Sequence, residues 1–192
     1  MTSPEEQTQA EPAVEQPPVE VDTVLRAAVR EIEAHAAEAG WDQPARLYAL
    51  VPTSDLLARE PRLAAAMGLD ESAAAGSLTP VEQDEMPTER RLEQALEQIM
   101  WPPEVFGCAA VVERLVLPPS ADQAIPEDPL AAEEFAGSHP EREEVRIVAG
   151  VTREGATYCA LRLKSHDEDF SVLESTDLVP GLLELLASTL EH

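Results

Sequence analysis

The chain has 192 residues, with 38 Asp and Glu against 13 Lys and Arg, for a formal charge of −25. That length can form one domain with a real core. A surface this negative repels nucleic-acid phosphates and anionic lipid, which argues against both as partners.

Residues 1–20 hold five acids, several Pro and Gln, and no base. Too little can be buried there to offset the entropy of ordering, so a disordered acidic tail is expected, followed by a single domain over 21–192. The N-terminus MTSPEEQTQAEP lacks the apolar run of a secretory signal, and no apolar stretch approaches the length of a membrane span. Cys108 and Cys159 are the only cysteines, and both lie in apolar strand sequence. A cytoplasmic protein with reduced, buried thiols is expected.

Asp22 is a good N-cap for a helix whose inner face carries Val21, Leu25, Ala28 and Ile32, with Gly40 as its stop. Ala45–Val51 reads as a strand ended by Pro52. Ser54 is expected to cap one short helical turn, and Pro61 to restart a second. Residues 69–87 read mostly as loop. Thr88 to Met100 reads as a helix with Leu92, Leu96 and Ile99 inward, stopped by Pro102 and Pro103. Cys108–Leu117 is a second long strand. Residues 118–143 are rich in Pro and acid and read as a flexible loop.

Glu144 to Lys164 then forms a hairpin whose register follows from the letters. Val145, Ile147, Ala149 and Val151 alternate along one arm, and Thr157, Cys159, Leu161 and Leu163 along the other. Arg153-Glu154-Gly155 is a three-residue connection with glycine at its left-handed position. This loop pairs Ile147 with Leu161 and sets every apolar residue opposite another. The other face carries Arg146, Val148, Tyr158, Ala160, Arg162 and Lys164, and is expected to point away from the helix-covered core. SHDEDFSVLEST is an acidic connector. The last helix is capped by Asp177, with Leu182, Leu183, Leu185, Leu186 and Leu190 as its stripe.

One explicit hairpin and no strict alternation of strand and helix point to an α+β domain. The expected architecture is a mainly antiparallel sheet of about four strands with helices packed on one face.

The stretches GWDQPARLYALVPTSDLL, WPPEVFGCAAVVERLVLPP and EEVRIVAGVTREGATYCALRLKSHDEDFSVLESTDLVPGLLELL together resemble a family of small, uncharacterised single-domain proteins of actinobacteria. The resemblance runs from about Val21 to Leu190. It implies an actinobacterial source and a single domain, and it transfers no catalytic residue.

The sequence contains no glycine-rich phosphate loop, no CxxC and no HExxH. Cys159 with His166 is separated by a strand end, and a buried structural thiol is the expectation. His166, Asp167, Glu168 and Asp169 group a histidine with three carboxylates of the kind hard cations take, but without the glycine turn and distal acid of a calcium loop. They read as a solvated connector, with a carboxylate- or metal-dependent enzyme at 166–169 as the alternative. No catalytic, cofactor or metal residue is assigned. Trp41 and Trp101 follow helix ends and are expected to plug the core edge.

Arg46, Arg114, Arg146 and Arg162 fall in strands of a very acidic chain. In the register above Arg146 lies opposite Arg162, and like charges so placed repel. Something negative must lie near them: acids such as Glu113 or Glu144, a bound anion, or an acidic partner segment. These four arginines are the candidate anion or partner surface. The expected function is a non-enzymatic protein-interaction domain, adaptor or chaperone-like, with another protein as partner. A small-anion-binding domain using the strand arginines is the other alternative.

Overall fold

The computed structural model describes residues 22–72, 75–83 and 92–191. The expectation for residues 1–20 lies outside them.

Helix α1 (Thr23–Glu38) begins where the sequence places it. Asp22 Oδ1 accepts from the N–H groups of Val24 and Leu25, both at 2.9 Å, two of the donors that a helix start leaves unpaired. Leu25, Ala28, Val29, Ile32 and Ala36 recur at helical spacing and are buried. Gly40, with φ +82, turns the chain out. Strand β1 (Arg46–Pro52) leads into the short helices α2 (Thr53–Arg59) and α3 (Pro61–Ala66), the latter opened by Pro61; Ser54 lies inside α2, whose N-cap is Pro52 with no side-chain cap bond.

Among the described residues six strands form one antiparallel sheet, not about four. The remaining strands are β2 (Leu78–Glu82), β3 (Gly107–Val116), β4 (Glu143–Thr152), β5 (Thr157–Leu163) and β6 (Leu173–Ser175), in the spatial order β2-β1-β3-β4-β5-β6. The two strands missing from the expectation are the sheet's edges. β2 arises within 69–87, read as loop. It contains Pro80, and the Leu50 carbonyl opposite is taken by the Phe106 N–H on the β3 side. Pro80 therefore turns its backbone nitrogen outward, where a missing donor blunts the edge. β6 arises within the connector, after a single 3-10 turn at Asp169–Ser171. Both are too short and too polar to stand out by alternation.

The hairpin has the expected register. Val145 faces Leu163, Ile147 faces Leu161, Ala149 faces Cys159 and Val151 faces Thr157. Gly155 has φ +84, and the Thr152 N–H donates to the Ala156 carbonyl across the turn at 2.9 Å.

Helices cover both faces of the sheet, not one. One face carries Leu47, Ala49, Cys108, Ala110, Val112, Val145, Ile147, Ala149 and Cys159, and packs against α4 (Leu92–Leu96) and α6 (Pro180–Ser188) through Leu92, Leu96, Leu183 and Leu186. Trp101 and Leu190 close that core. The other carries Tyr48, Leu50, Ala109, Val111, Val148, Tyr158 and Ala160 beneath α1. Arg146 and Arg162 thus turn away from the first core, as expected, but into a second helix-covered face. Small residues let α1 lie close: a Cβ on Gly150 would stand 2.8 Å from Val29 Cγ2.

Three further boundaries differ from expectation. The described part of the helix read over 88–100 is α4, which ends at Leu96. α6 starts at Pro180 with Val179 as its N-cap and no side-chain cap bond, so Asp177 does not cap it. Residues 118–143 are not loop throughout, for they carry a 3-10 helix at Pro119–Ala124 and helix α5 (Pro129–Ser138). Asp128 Oδ1 accepts from the Ala131 N–H at 2.9 Å and Pro129 fills the first turn, a start signal masked by the surrounding Pro and acid.

Candidate functional site

Three of the four strand arginines share the α1 face, and Arg114 stands on the opposite one. Arg146 and Arg162 are 1% and 2% exposed, directly opposite each other on β4 and β5. Their repulsion is offset from both sides. On β3, Glu113 lies across from Arg146, and its Oε1 accepts from Arg146 Nη2 at 3.1 Å. From α1, Glu33 takes Arg162 in a two-point bond, Oε1 to Nε at 2.6 Å and Oε2 to Nη2 at 3.0 Å. That planar fork is the geometry a guanidinium fits best. Asp169 Oδ1 at 3.0 Å and Asp167 Oδ1 at 3.4 Å complete the ring around Arg162, and the Asp167 carbonyl accepts at 3.1 Å. These bonds push the Arg162 pKa further up, the Glu33 bond most of all.

Arg146 also donates to the Gly40 carbonyl, at the negative end of α1. Its guanidinium carbon lies 4.4 Å from the Trp41 ring centre. Trp41 therefore covers a buried charge, not an apolar core edge, and its Nε1 donates to Asp167 Oδ2 at 2.9 Å. Glu113 Oε2 accepts from the N–H groups of Asp42 and Gln43, fastening the α1–β1 turn to the sheet. Glu144, the other acid named from sequence, serves Lys164 at 2.6 Å. That bond is the main reason the Lys164 pKa is raised.

Arg46 donates to Gln43 Oε1 at 3.2 Å and lies 3.8 Å from Glu82. Arg114 is exposed and bonded to Glu93 of α4 at 2.6 Å. The four arginines therefore form no common surface. What assembles instead is a network that locks α1, its exit turn and the β5–β6 connection onto one end of the sheet.

The 166–169 group is drawn into this network. Asp167 and Asp169 bind Arg162, and His166 Nδ1 lies 2.9 Å from Ser165 Oγ. Among the described residues, no group of three or more His, Cys, Asp or Glu could hold a metal ion. Both thiols are free and buried. Burial pushes Cys108 up to about 11 and raises Cys159, whose thiol is bonded by the Leu178 and Val179 backbone. Neither is a ready nucleophile.

Glu33 was not singled out from sequence, yet it follows Leu25 and Val29 at four-residue spacing, which places it on the buried stripe of α1. Arg153 also went unread beyond its turn position. It donates to the carbonyls of Val105, Trp101, Pro102 and Leu190, clamping the hairpin tip to the chain's C-terminal end.

A second feature lies at the far end of β3. Leu115 and Val116 are 43% and 46% exposed, and α5 stands beside them with no residue buried. Ile125 and Leu130 are exposed as well. Between strand and helix runs an open groove of about 660 Å³, lined by Leu115, Val116, Leu117, Ile125 and Ala132, with Asp122 and Glu133 among its acids.

Among curated proteins and among solved structures, none matches this chain. A family model described as PPA1309-like protein matches residues 25–191, from within the first turn of α1 to past α6. The chain belongs to the PPA1309-like protein family.

Proposed function

We propose that this protein is a non-enzymatic interaction domain that binds another protein through the groove between β3 and α5. One observation carries the reading. α5 is a capped helix of ten residues that buries none of them, beside a strand end that leaves two aliphatic side chains in water. A helix usually owes its stability to packing an apolar face, so one left open at an apolar groove is suited to a partner. Asp167 and Asp169, bonded to Arg162, offer no comparable support for an enzyme.

A photo-cross-linking residue at Val116, introduced in the native host, tests the proposal. A discrete heterologous adduct that disappears with Leu115→Ser, while the melting temperature holds, is the expected result. A chain that stays uncross-linked, or adducts indifferent to Leu115, would refute it.

A second reading, a small-anion site, has one supporting atom. Arg146 Nη1 is buried and has no hydrogen-bond partner among the described residues. Thermal shift with phosphate, sulfate and carboxylates tests it: stabilisation that Arg146→Lys abolishes would favour it, and a flat response would remove it.

A further inference from the structure

We infer that the occupant of the β3–α5 groove is a cationic amphipathic segment of a different protein, its aliphatic side chains on the groove floor and its Lys or Arg against the acidic walls. This rests on the interaction reading above and specifies the partner's chemistry. The floor is aliphatic, supplied by Leu115, Val116, Leu117 and Ile125. The walls are negative. Asp122 and Glu133 line the groove; Glu113, also in its lining, is held by Arg146 at 3.1 Å, and the lining base Arg114 is held by Glu93 Oε1 at 2.6 Å. Residues 118–143, which build the α5 side, contain seven acids and one arginine.

The same charges exclude the other candidates. A second copy would bring another −25 to the contact. The chain's own residues 1–20 carry five acids and no base, so they are repelled as well. Nucleic acid and anionic membrane are polyanions and face the same field. A segment with cations flanking apolar anchors satisfies floor and walls together.

The experiment uses the full chain and three labelled fourteen-residue peptides, read by fluorescence anisotropy at low and high NaCl. One is a helical Leu–Lys amphipath, one its Leu–Glu counterpart, and one a Lys–Ser peptide of equal charge without leucine. The Leu–Lys peptide should bind, weaken with salt, and lose at least tenfold in affinity with Leu115→Ser/Val116→Ser and with Asp122→Lys/Glu133→Lys. Glu184→Lys, on exposed α6 surface, should leave it unchanged. Melting temperatures establish that each variant folds. Equal binding of Lys–Ser, or equal loss with Glu184→Lys, would mean bulk charge alone and would overturn the inference. Preferential binding of Leu–Glu at the groove would overturn the cationic partner and leave the interaction reading standing. No peptide bound, with no heterologous adduct at Val116, would bring down both. A covalent dimer of this chain at Val116 would replace the partner by a second copy.

Discussion

Arg162→Leu should destabilise the protein by about 3–5 kcal/mol, because it strands Glu33 as an uncompensated charge under α1. Arg162→Leu/Glu33→Leu should recover most of that loss, since two apolar groups of similar reach need no partner. Urea unfolding of the single and double variants checks this, and equal losses in the two would show that the pair is not a coupled unit. Cys108 supplies a pH-dependent counterpart. Its thiol ordinarily titrates near 9.0, and burial holds it up to about 11 in the folded chain. The folded state keeps the proton longer, so this contribution is full below pH 9 and lost as pH rises through 11. Cys108→Ala should therefore flatten the fall in stability across that window, by at most about 3 kcal/mol. Tyr48 and Tyr158, also raised chiefly by burial, account for part of the remaining slope. Unfolding midpoints at pH 8, 9.5 and 11 measure it, and identical slopes in variant and parent would contradict it.

At the level of the elements, two glycines of one hairpin should fail for different reasons. A Cβ at Gly155 meets nothing within 4 Å, so Gly155→Ala should cost only the strain of φ +84, about 1 kcal/mol. A Cβ at Gly150 would press on Val29 and Leu25 of α1, so Gly150→Ala should cost about 1–3 kcal/mol through overpacking. Val29→Ala should rescue Gly150→Ala in part and leave Gly155→Ala unimproved. Denaturation of both double variants decides it, and rescue of the turn variant would be the contrary result. The hairpin was legible because turn type and alternation specify one register together. The edge strands were not. β6 is three residues long and β2 contains a proline, so neither carries a period long enough to read. α5 was hidden likewise: its capping pair sits in acidic, proline-rich sequence that resembles a loop.

For the whole molecule, a charge of −25 makes the surface repel itself, while the Arg162–Glu33 pair lies beneath the solvent. Raising NaCl from low to near-molar levels should therefore raise the melting temperature by several degrees, since salt screens the exposed acids far more than the buried pair. Calorimetry across that range tests it, and a steady fall would mean that surface ion pairs outweigh the repulsion. Cover on both sheet faces belongs to this scale too. It was written in the runs GCAAVV of β3 and VAGV of β4, whose burial is continuous rather than alternating. A strand that shows apolar side chains on both sides is one that something covers twice.

Local rules thus let the sequence determine the capped first helix, the long strands, the hairpin register and the facing of Arg146 against Arg162. Each depends on neighbours within a few residues or on one tight turn, and both are printed in the letters. Sequence also indicated that those two arginines require negative charge nearby. Only the tertiary structure decided which charge. Glu33 reaches Arg162 across 129 positions and Glu113 reaches Arg146 across 33, contacts set by how α1 and β3 pack on the sheet. The groove beside β3 is of the same kind. An absence of burial is a relation between distant surfaces, and it exists only once the chain has closed around the rest of its core.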